Sequence, residues 1–407
     1  MSLLTSKGPD PTVTNFLDVE RAVRAAAPHA LLDAARSAVI RAYEAESVDL
    51  FLADYSLTLL RRVSTPPDAE QPSLPLHSSP EGRAFGSQEP YTRIAAEHGA
   101  VDVHLPVTVR GDRLGILSVR LPERRSTDEV VAELSDVAEL LGHEMIVAER
   151  DTDVYLQARR ATRLTLAAEM QWHLLPGRAC LHDEYAIAAH LEPAYAIHGD
   201  NFDWASTSDT LTLTVTNGMG EGIQAALLTN LAVNALRNAR RAGIGIADQA
   251  ALADQALYAQ YGGASYVSTL LLSFDLASGK VQVVDAGSPQ LWLQRGKTVE
   301  PVRFEAQLPL GMFDQSEYVV QEFQVVPGDR LIFVSDGVYA TPSPSSGETY
   351  GERALARSVH AASLLPAAAV PRAVLRELAV HRDREPEDDA MVVCVDWFGR
   401  RDAEAAG

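Results

Sequence analysis

The segment Asn217-Gly-Met-Gly-Glu-Gly222 follows a strand-like run, Thr210–Thr216, and precedes a helix-like run, Ala225–Arg241. Its three glycines allow the backbone to turn sharply and allow a backbone carbonyl to come close to an ion. The segment therefore predicts a tight connection between a strand and a helix, with polar groups gathered at the end of the strand.

Three further acidic segments lie near the ends of strand-like runs or in loops. They are Gly199-Asp200 with Asp203 close behind, Ser335-Asp336-Gly337, and Asp388-Asp389. Taken singly, an Asp-Gly pair most often marks a turn. Carboxylates that cluster on loops at strand ends suit hard cations such as Mg²⁺ or Mn²⁺. Together the four segments predict a divalent-cation site.

Residues 184–398 alternate strand-like and helix-like runs. The strand-like runs are Tyr185–Leu191, Thr210–Thr216, Ser268–Asp275, Lys280–Asp285, Leu291–Arg295, Tyr318–Val325, Arg330–Ser335 and Met391–Asp396. The helix-like runs are Ala225–Arg241, Asp248–Tyr261 and Pro366–His381. Many strands with a few helices between them predict an antiparallel β-sandwich faced by helices.

The first third of the chain has a different pattern. Residues 14–46 have helical periodicity interrupted by Pro28, which predicts two helices or one kinked helix. Two strand-like runs and a Pro/Ser-rich loop follow at Val48–Ala53, Leu57–Val63 and 64–80. Asp102–Val109 and Arg113–Arg120 flank a glycine turn and predict a hairpin.

A helical pattern begins after Pro122, with Ser126 and Glu129 as a capping-box signature, and is predicted to continue to Leu175. Small residues repeat every seven positions within 154–175. This spacing favours a self-pairing coiled coil, and the alternative is one amphipathic helix lying on its own domain.

Composition narrows the function classes. The 35 basic and 55 acidic side chains give a net charge of −20, which argues against nucleic acid or an anionic membrane as a partner. The two cysteines, Cys180 and Cys394, favour a reducing compartment. The first residues have no apolar signal-peptide core and no stretch is long enough to span a membrane, so a cytoplasmic location is expected.

Ordered blocks over about residues 165–398 resemble the SpoIIE/RsbU-like branch of the metal-dependent PPM protein phosphatases. The block Glu192–Trp204 resembles a motif ending G-G-D-F-Y-D-W, and Asn217–Leu228 resembles one beginning D-G-M-G-x-G. Further blocks are Asp285–Pro289, similar to N-A-G-H-P, Leu308–Met312, Phe333–Val338, and Asp388–Val392, similar to D-D-A-T-V.

Upstream, Glu81–Phe85 and Leu105–Leu117 resemble the GAF fold, which implies sensing or dimerisation and a small ligand that the sequence does not identify. The two resemblances imply an α+β chain. Its expected parts are a GAF-like α/β sensor domain over 12–124, a connecting helix over 125–178, and an α-β-β-α sandwich of the PPM type over 180–400.

The phosphatase resemblance implies a hydrolase that removes phosphate from phosphoserine or phosphothreonine with two Mn²⁺ or Mg²⁺ ions. The expected substrate is a phosphorylated protein such as an anti-sigma-factor antagonist, and the expected assembly is a homodimer. Asp200, Asp336 and Asp388 match the catalytic metal ligands. The other expected contributors are Asn217 and Gly218 at the metals, and His198, Asp203 and Asp389 as accessory residues.

The sequence departs from the family pattern at five positions. Asn217 stands where the family has the aspartate that bridges both metals, and an amide oxygen brings no charge. His198 replaces a glycine, Asp285 an asparagine, Ser288 a histidine and Met391 a threonine. The departures leave two hypotheses open: a working phosphatase, or a pseudophosphatase that binds a phosphoprotein as a regulator without turning it over.

Overall fold

The computed structural model describes residues 11–64, 73–95, 99–193, 195, 199–287, 289–383 and 388–400. The chain divides into two units, Met1–Arg163 (unit 1) and Leu164–Gly407 (unit 2). Among the described residues, no helix combines the length and the apolar character needed to cross a bilayer.

Unit 1 contains five α-helices among its described residues. They are α1 (Pro11–Arg24), α2 (Leu31–Tyr43), α3 (Pro80–Ser87), α4 (Asp128–Ala148) and α5 (Val154–Ala158), with short 3-10 turns at Pro28–Ala30 and Glu123–Arg125. Of the two options for residues 14–46, two separate helices is the one observed. Pro28 starts the 3-10 turn between them, because proline has no N–H to continue the first helix.

One antiparallel sheet forms the centre of unit 1. Its strands are β1 (Ser47–Ala53), β2 (Leu59–Arg62), β3 (Ser73–Pro75), β4 (Tyr91–Ile94), β5 (Ala100–Val109) and β6 (Asp112–Pro122), in the order β3-β2-β1-β6-β5-β4. The predicted hairpin is confirmed as β5–β6. Arg110 and Gly111 both have positive φ, which fits a tight two-residue turn.

The sheet of unit 1 buries apolar side chains on both faces. Leu117 belongs to the core formed with α1, α2 and α4, whereas its neighbour Ile116 packs with Phe85 of α3. Successive strand residues point to opposite faces, so the alternation along β6 supplies both cores.

The prediction of one linker helix over 125–178 is wrong. The helical stretch is divided into α4, α5 and a third helix, α6 (Leu166–Leu174). Asp151, Thr152 and Asp153 favour turns over helix interiors, and Thr165 starts α6 by accepting a hydrogen bond from the Ala168 N–H at 3.1 Å. The small residues with seven-residue spacing therefore do not lie on one continuous helix.

α4 and α5 pack inside unit 1, where Leu134, Leu141 and Tyr155 join its main core. The helical stretch is therefore part of a domain core over most of its length. Its first helix also starts one residue later than the capping-box signature indicated, because Thr127 is the N-cap residue and accepts from the Val130 N–H.

Unit 2 contains two antiparallel sheets. The five-stranded sheet, in the order β15-β12-β11-β10-β9, consists of β9 (Asn201–Ser206), β10 (Thr210–Gly218), β11 (Val267–Asp275), β12 (Lys280–Ala286) and β15 (Gln321–Gln324). The six-stranded sheet, in the order β14-β13-β16-β17-β8-β7, consists of β7 (Ala179–Leu181), β8 (Tyr185–Glu192), β13 (Gln290–Arg295), β14 (Thr298–Val302), β16 (Arg330–Val334) and β17 (Ala390–Trp397).

Helices cover the outer faces of both sheets. They are α7 (Gly222–Arg241), α8 (Ile246–Tyr261), α9 (Asp336–Tyr339), α10 (Ala354–Ala361) and α11 (Val370–Arg382), with a 3-10 turn at Ala367–Ala369. α7 and α8 pack on the five-stranded sheet, and α11 packs on β8 and β17. Between the sheets, the ring of Phe274 on β11 stacks on that of Trp397 on β17 at 5.8 Å. The predicted sandwich faced by helices is confirmed.

The sequence reading missed some short elements of unit 2. β9 begins directly after Asp200, within the motif block Glu192–Trp204, where the sequence pattern predicts no strand. The predicted strand Tyr318–Val325 is limited to Gln321–Gln324. These elements are too short for periodicity alone to reveal them.

Candidate functional site

The acidic segments of unit 2 meet where strand ends from both sheets come together. In the five-stranded sheet Asn201 pairs with Thr216, so the preceding Asp200 and the following Asn217 lie side by side at one end. In the six-stranded sheet Val334 pairs with Val392, which places Asp336 and the Asp388-Asp389 pair at a common end as well.

Asp389 joins the two sheets at this end. Its Oδ2 accepts the backbone N–H of Gly199 at 2.8 Å and that of Asp200 at 3.3 Å, although Gly199 and Asp389 are 190 residues apart in sequence. Asp389 is buried, and its own N–H donates to Asp388 Oδ1 at 2.8 Å. The carboxylate of Asp389 therefore fixes the backbone that carries Asp200.

Asp336 is held by polar groups from its own turn and from the neighbouring sheet. Its Oδ1 accepts the N–H of Gly337 at 2.9 Å, and the side-chain amide of Asn217 lies near enough to lower the pKa of the Asp336 carboxyl. The preceding Ser335 is buried and accepts the N–H of Met391 at 2.9 Å through its Oγ. Asn217 and Asp336 thus lie in the same polar site.

Two close backbone contacts at the site require glycine. A Cβ on Gly218 would lie 2.3 Å from the backbone oxygen of Gly199, and one on Gly337 would lie 1.8 Å from that of Asp389. A residue with a side chain cannot approach so closely. Gly218 therefore lets the ends of β9 and β10 come together in one sheet, and Gly337 does the same for the ends of β16 and β17 in the other.

The carboxylates raise one another's pKa. Burial raises the pKa of Asp200 well above its usual range, and the nearby charge of Asp389 raises it further, with smaller contributions from Asp336 and Asp388. Burial and then the charge of Asp388 raise the pKa of Asp336, while the amide of Asn217 opposes this. Like charges held together in a buried site favour a bound cation.

Thr229 is a contributor that the sequence reading missed. It lies on the buried side of α7, and its Oγ1 donates to the backbone oxygen of Gly199 at 2.8 Å. A hydroxyl in an otherwise apolar helix face, beside Ala225, Ala226 and Ala232, was the available signal, because a buried hydroxyl needs a hydrogen-bond partner.

The structure places the other predicted residues as follows. Asp203 is not brought to this site: its Oδ1 accepts from Arg237 Nη2 at 2.7 Å and its Oδ2 from Arg240 Nη1 at 2.9 Å. Both arginines are on α7, so Asp203 ties that helix to β9. His198 and Ser288 lie outside the described residues.

The donor atoms suit a hard divalent cation, since they are carboxylate and amide oxygens. Asp200 Oδ2 and Asn217 Oδ1 are buried and have no hydrogen-bond partner among the described residues. The same part of the chain holds no group of three or more Asp, Glu, His or Cys side chains close enough to form a finished metal cage. The oxygen atoms of Asp200, Asn217, Asp336 and Asp388 are of the kind that Mg²⁺ and Mn²⁺ bind. Fewer of these carboxylates converge on one point than the sequence motifs imply.

Several solved structures resemble part of this chain. The PP2C phosphatase domain of SpoIIE from Bacillus subtilis has 21% identity and a TM-score of 0.48, and the match covers 54% of this chain and 65% of that one. The RsbU and RsbW domains of a Mycobacterium tuberculosis protein have 23% identity, a TM-score of 0.46, and coverage of 54% and 61%. The chain thus spans less than two thirds of both proteins.

The SiaA-PP2C domain of Pseudomonas aeruginosa has 21% identity and a TM-score of 0.48, with 57% of this chain and 94% of that chain covered. In sequence, residues 207–398 match the family model of stage II sporulation protein E (SpoIIE). The matched segment includes Asn217, Asp336 and Asp388. Residues 207–398 of unit 2 are therefore similar to the SpoIIE family.

Proposed function

We propose that unit 2 is a Mn²⁺- or Mg²⁺-dependent phosphatase acting on phosphoserine or phosphothreonine in a protein substrate. The observation that carries this proposal is the buried acidic site within a SpoIIE-type segment, where Asp200 Oδ2 and Asn217 Oδ1 have no partner among the described residues. Buried polar atoms normally have a partner, so these two oxygens are suited to binding a cation.

The roles of the residues follow from their contacts. Asp200, Asp336 and Asp388 would hold the cations, with Asn217 and the Gly218 carbonyl as neutral oxygen donors. When bound, such a cation supplies positive charge for the phosphoryl oxygens and lowers the pKa of a water. Asp389 and Thr229 hold the Gly199-Asp200 backbone from the opposite sheet and from α7, so the position of Asp200 is fixed before any ligand arrives.

A second candidate function is phosphoprotein binding without turnover, and Asn217 is the observation that favours it. Its neutral amide lies near Asp336, one of the expected ligands, and lowers the pKa of that carboxyl without adding a negative charge. A bridging carboxylate would instead bring negative charge to both metals. The loss of that charge lowers cation affinity by an amount that depends on the local dielectric.

The two candidates are separated by measuring turnover and metal binding on the same preparation. Hydrolysis of a phosphoserine peptide in Mn²⁺ is followed by phosphate release, beside calorimetry with Mn²⁺ alone. Asp200→Asn should abolish both signals, whereas Asp314→Asn, at an exposed aspartate, should change neither. Metal and phosphopeptide binding without phosphate release supports the regulator, and absence of both kinds of binding overturns both proposals.

For the biological setting, the resemblance of the motifs supports a partner-switching pathway with a phosphorylated anti-sigma-factor antagonist as substrate. Unit 1 would be the GAF-like sensor; its support is an antiparallel sheet with α1, α2 and α4 on one face and α3 on the other. Homodimer formation stays a proposal, and light scattering over a range of concentrations tests it.

A further inference from the structure

A cleft of about 740 Å³ lies in unit 2 beside the acidic site. One part of its wall comes from β13 and β14 and the segment after them, including Trp292, Glu300 and Arg303. The other part comes from the stretch between α9 and α10, including Tyr339 and Glu352, and Asp285 at the end of β12 completes the set. The volume is within the range of sites that bind small organic ligands or short peptide segments.

The cleft adjoins the site through α9. Asp336 is the first residue of that helix and Tyr339 is the last. Because this helix has only four residues, at about 1.5 Å of rise per residue, Asp336 and Tyr339 lie on the order of 5 Å apart along its axis. A polypeptide with one residue at the acidic site can therefore place its neighbours in the cleft.

The charges along the cleft favour a cationic occupant. Asp285, Glu300 and Glu352 contribute three carboxylates, against the single guanidinium of Arg303. Glu352 is held in place, because its Oε1 accepts the Oγ1 hydroxyl of Thr349 at 3.2 Å. The cleft also contains aromatic rings, which attract the ammonium of lysine and the guanidinium of arginine.

We propose that this cleft binds a lysine- or arginine-bearing segment of the polypeptide substrate, next to its phosphorylated residue. The inference rests on the proposed phosphatase or phosphoprotein-binding function for the identity of the substrate. The recognition itself depends only on the charge and shape of the cleft. A free phosphate ion is a poor occupant, since the acidic residues repel it.

The test is fluorescence anisotropy with the full chain and labelled peptides that carry no phosphate, so binding is measured without turnover. One peptide carries lysine and arginine, and a second has glutamate at the same positions. We expect only the basic peptide to bind, with affinity falling as salt rises. The double variant Glu300→Lys/Glu352→Lys should bind it at least about tenfold more weakly, or ~1.4 kcal/mol.

The matched control is Asp314→Lys/Glu317→Lys, which makes the same change in net charge at exposed positions outside the cleft. Equal binding of both peptides, or equal losses in the two double variants, overturns the cleft proposal. Binding that is lost only in the cleft variant supports it even when no phosphate is released, in which case the catalytic proposal fails alone. If phosphate is released but the cleft variant binds the basic peptide as tightly as the wild type does, the cleft proposal fails and the catalytic proposal stands.

Discussion

Replacing Asn217 with aspartate tests how an added negative charge changes the stability and the metal affinity of the site. In the structure the N–H donor group of Asn217 lies near the Asp336 carboxyl and lowers its pKa, and the buried Oδ1 of Asn217 has no hydrogen-bond partner among the described residues. Asn217→Asp removes that donor and puts a second carboxylate in its place, with almost no change in volume. Without metal the variant should be less stable, and with metal it should bind more tightly.

The magnitude follows from two opposing effects. Two unit charges about 4 Å apart repel by ~4 kcal/mol at an effective dielectric of about 20, and water at this half-buried position reduces that figure. We therefore expect the metal-free variant to lose about 2 kcal/mol of unfolding free energy. A cation between the carboxylates reverses the sign, and a concentration of about 100 times Kd adds ~2.7 kcal/mol of stability.

The assay is thermal unfolding of both proteins with and without Mn²⁺, beside phosphopeptide turnover. We expect a larger Mn²⁺-induced rise in Tm for the variant and at least about a tenfold gain in turnover, equal to ~1.4 kcal/mol of the barrier. Asn238→Asp, an exposed change of the same charge on α7, is the control and should do neither. Asp200→Asn in the variant background should remove the gain.

Equal Mn²⁺ responses and equal turnover in wild type and variant would refute the reasoning, since the site would then work without a bridging carboxylate. Asn217 precedes glycine, and Asn-Gly bonds deamidate readily. Mass spectrometry must therefore confirm residue 217 in each preparation before a trace activity is assigned to the wild type.

Other perturbations test individual contacts. Asp203→Asn leaves two arginines of α7 without their anion, so urea unfolding should show a free energy of unfolding lower by about 3 kcal/mol. A loss of Mn²⁺ affinity in this variant would instead identify Asp203 as a metal ligand. Thr229→Ala should cost about 1–3 kcal/mol by the same method, whereas Thr229→Ser keeps the hydroxyl and should be nearly neutral. Gly218→Ala should abolish Mn²⁺ binding, because its methyl group would overlap a backbone oxygen, while Gly245→Ala meets open space and should have little effect. Burial lowers the pKa of the His104 imidazole. The unfolded chain therefore takes up a proton at a higher pH than the folded chain does, and the free energy of unfolding should fall as the pH drops below about 6.5. Denaturant unfolding at several pH values should show a smaller fall for His104→Gln.

Much of the architecture of unit 2 follows from local patterns. The strands around Leu213 and Ile332 are runs of apolar and β-branched residues that end in glycine or aspartate, and both signals are visible in the sequence. The same signals place Asn217 and Asp336 at strand ends. Local patterns fail over 149–165, where helical spacing continues but turn-forming residues separate the helices.

The connections between the acidic segments are not visible in the sequence. In the sequence Asp389 is simply the second residue of an Asp-Asp pair, yet its carboxylate accepts the backbone N–H of Gly199, 190 residues away. Thr229 looks like an ordinary helix residue until β9 and α7 are packed together. Such contacts depend on how sheets and helices pack, and no short stretch of sequence encodes them.

The hydrogen bonds from Gly199 and Asp200 to Asp389 also bear on when the site can form during synthesis. Asp200 is translated early in unit 2, and the carboxylate that fixes its backbone follows 190 residues later. A chain leaving the ribosome can fold β9 and β10 as a pair, because they are neighbours in sequence. It cannot position Asp200 until residue 389 has emerged and β17 has joined its sheet. In a growing chain the acidic site therefore cannot form until the second sheet has assembled beside the first.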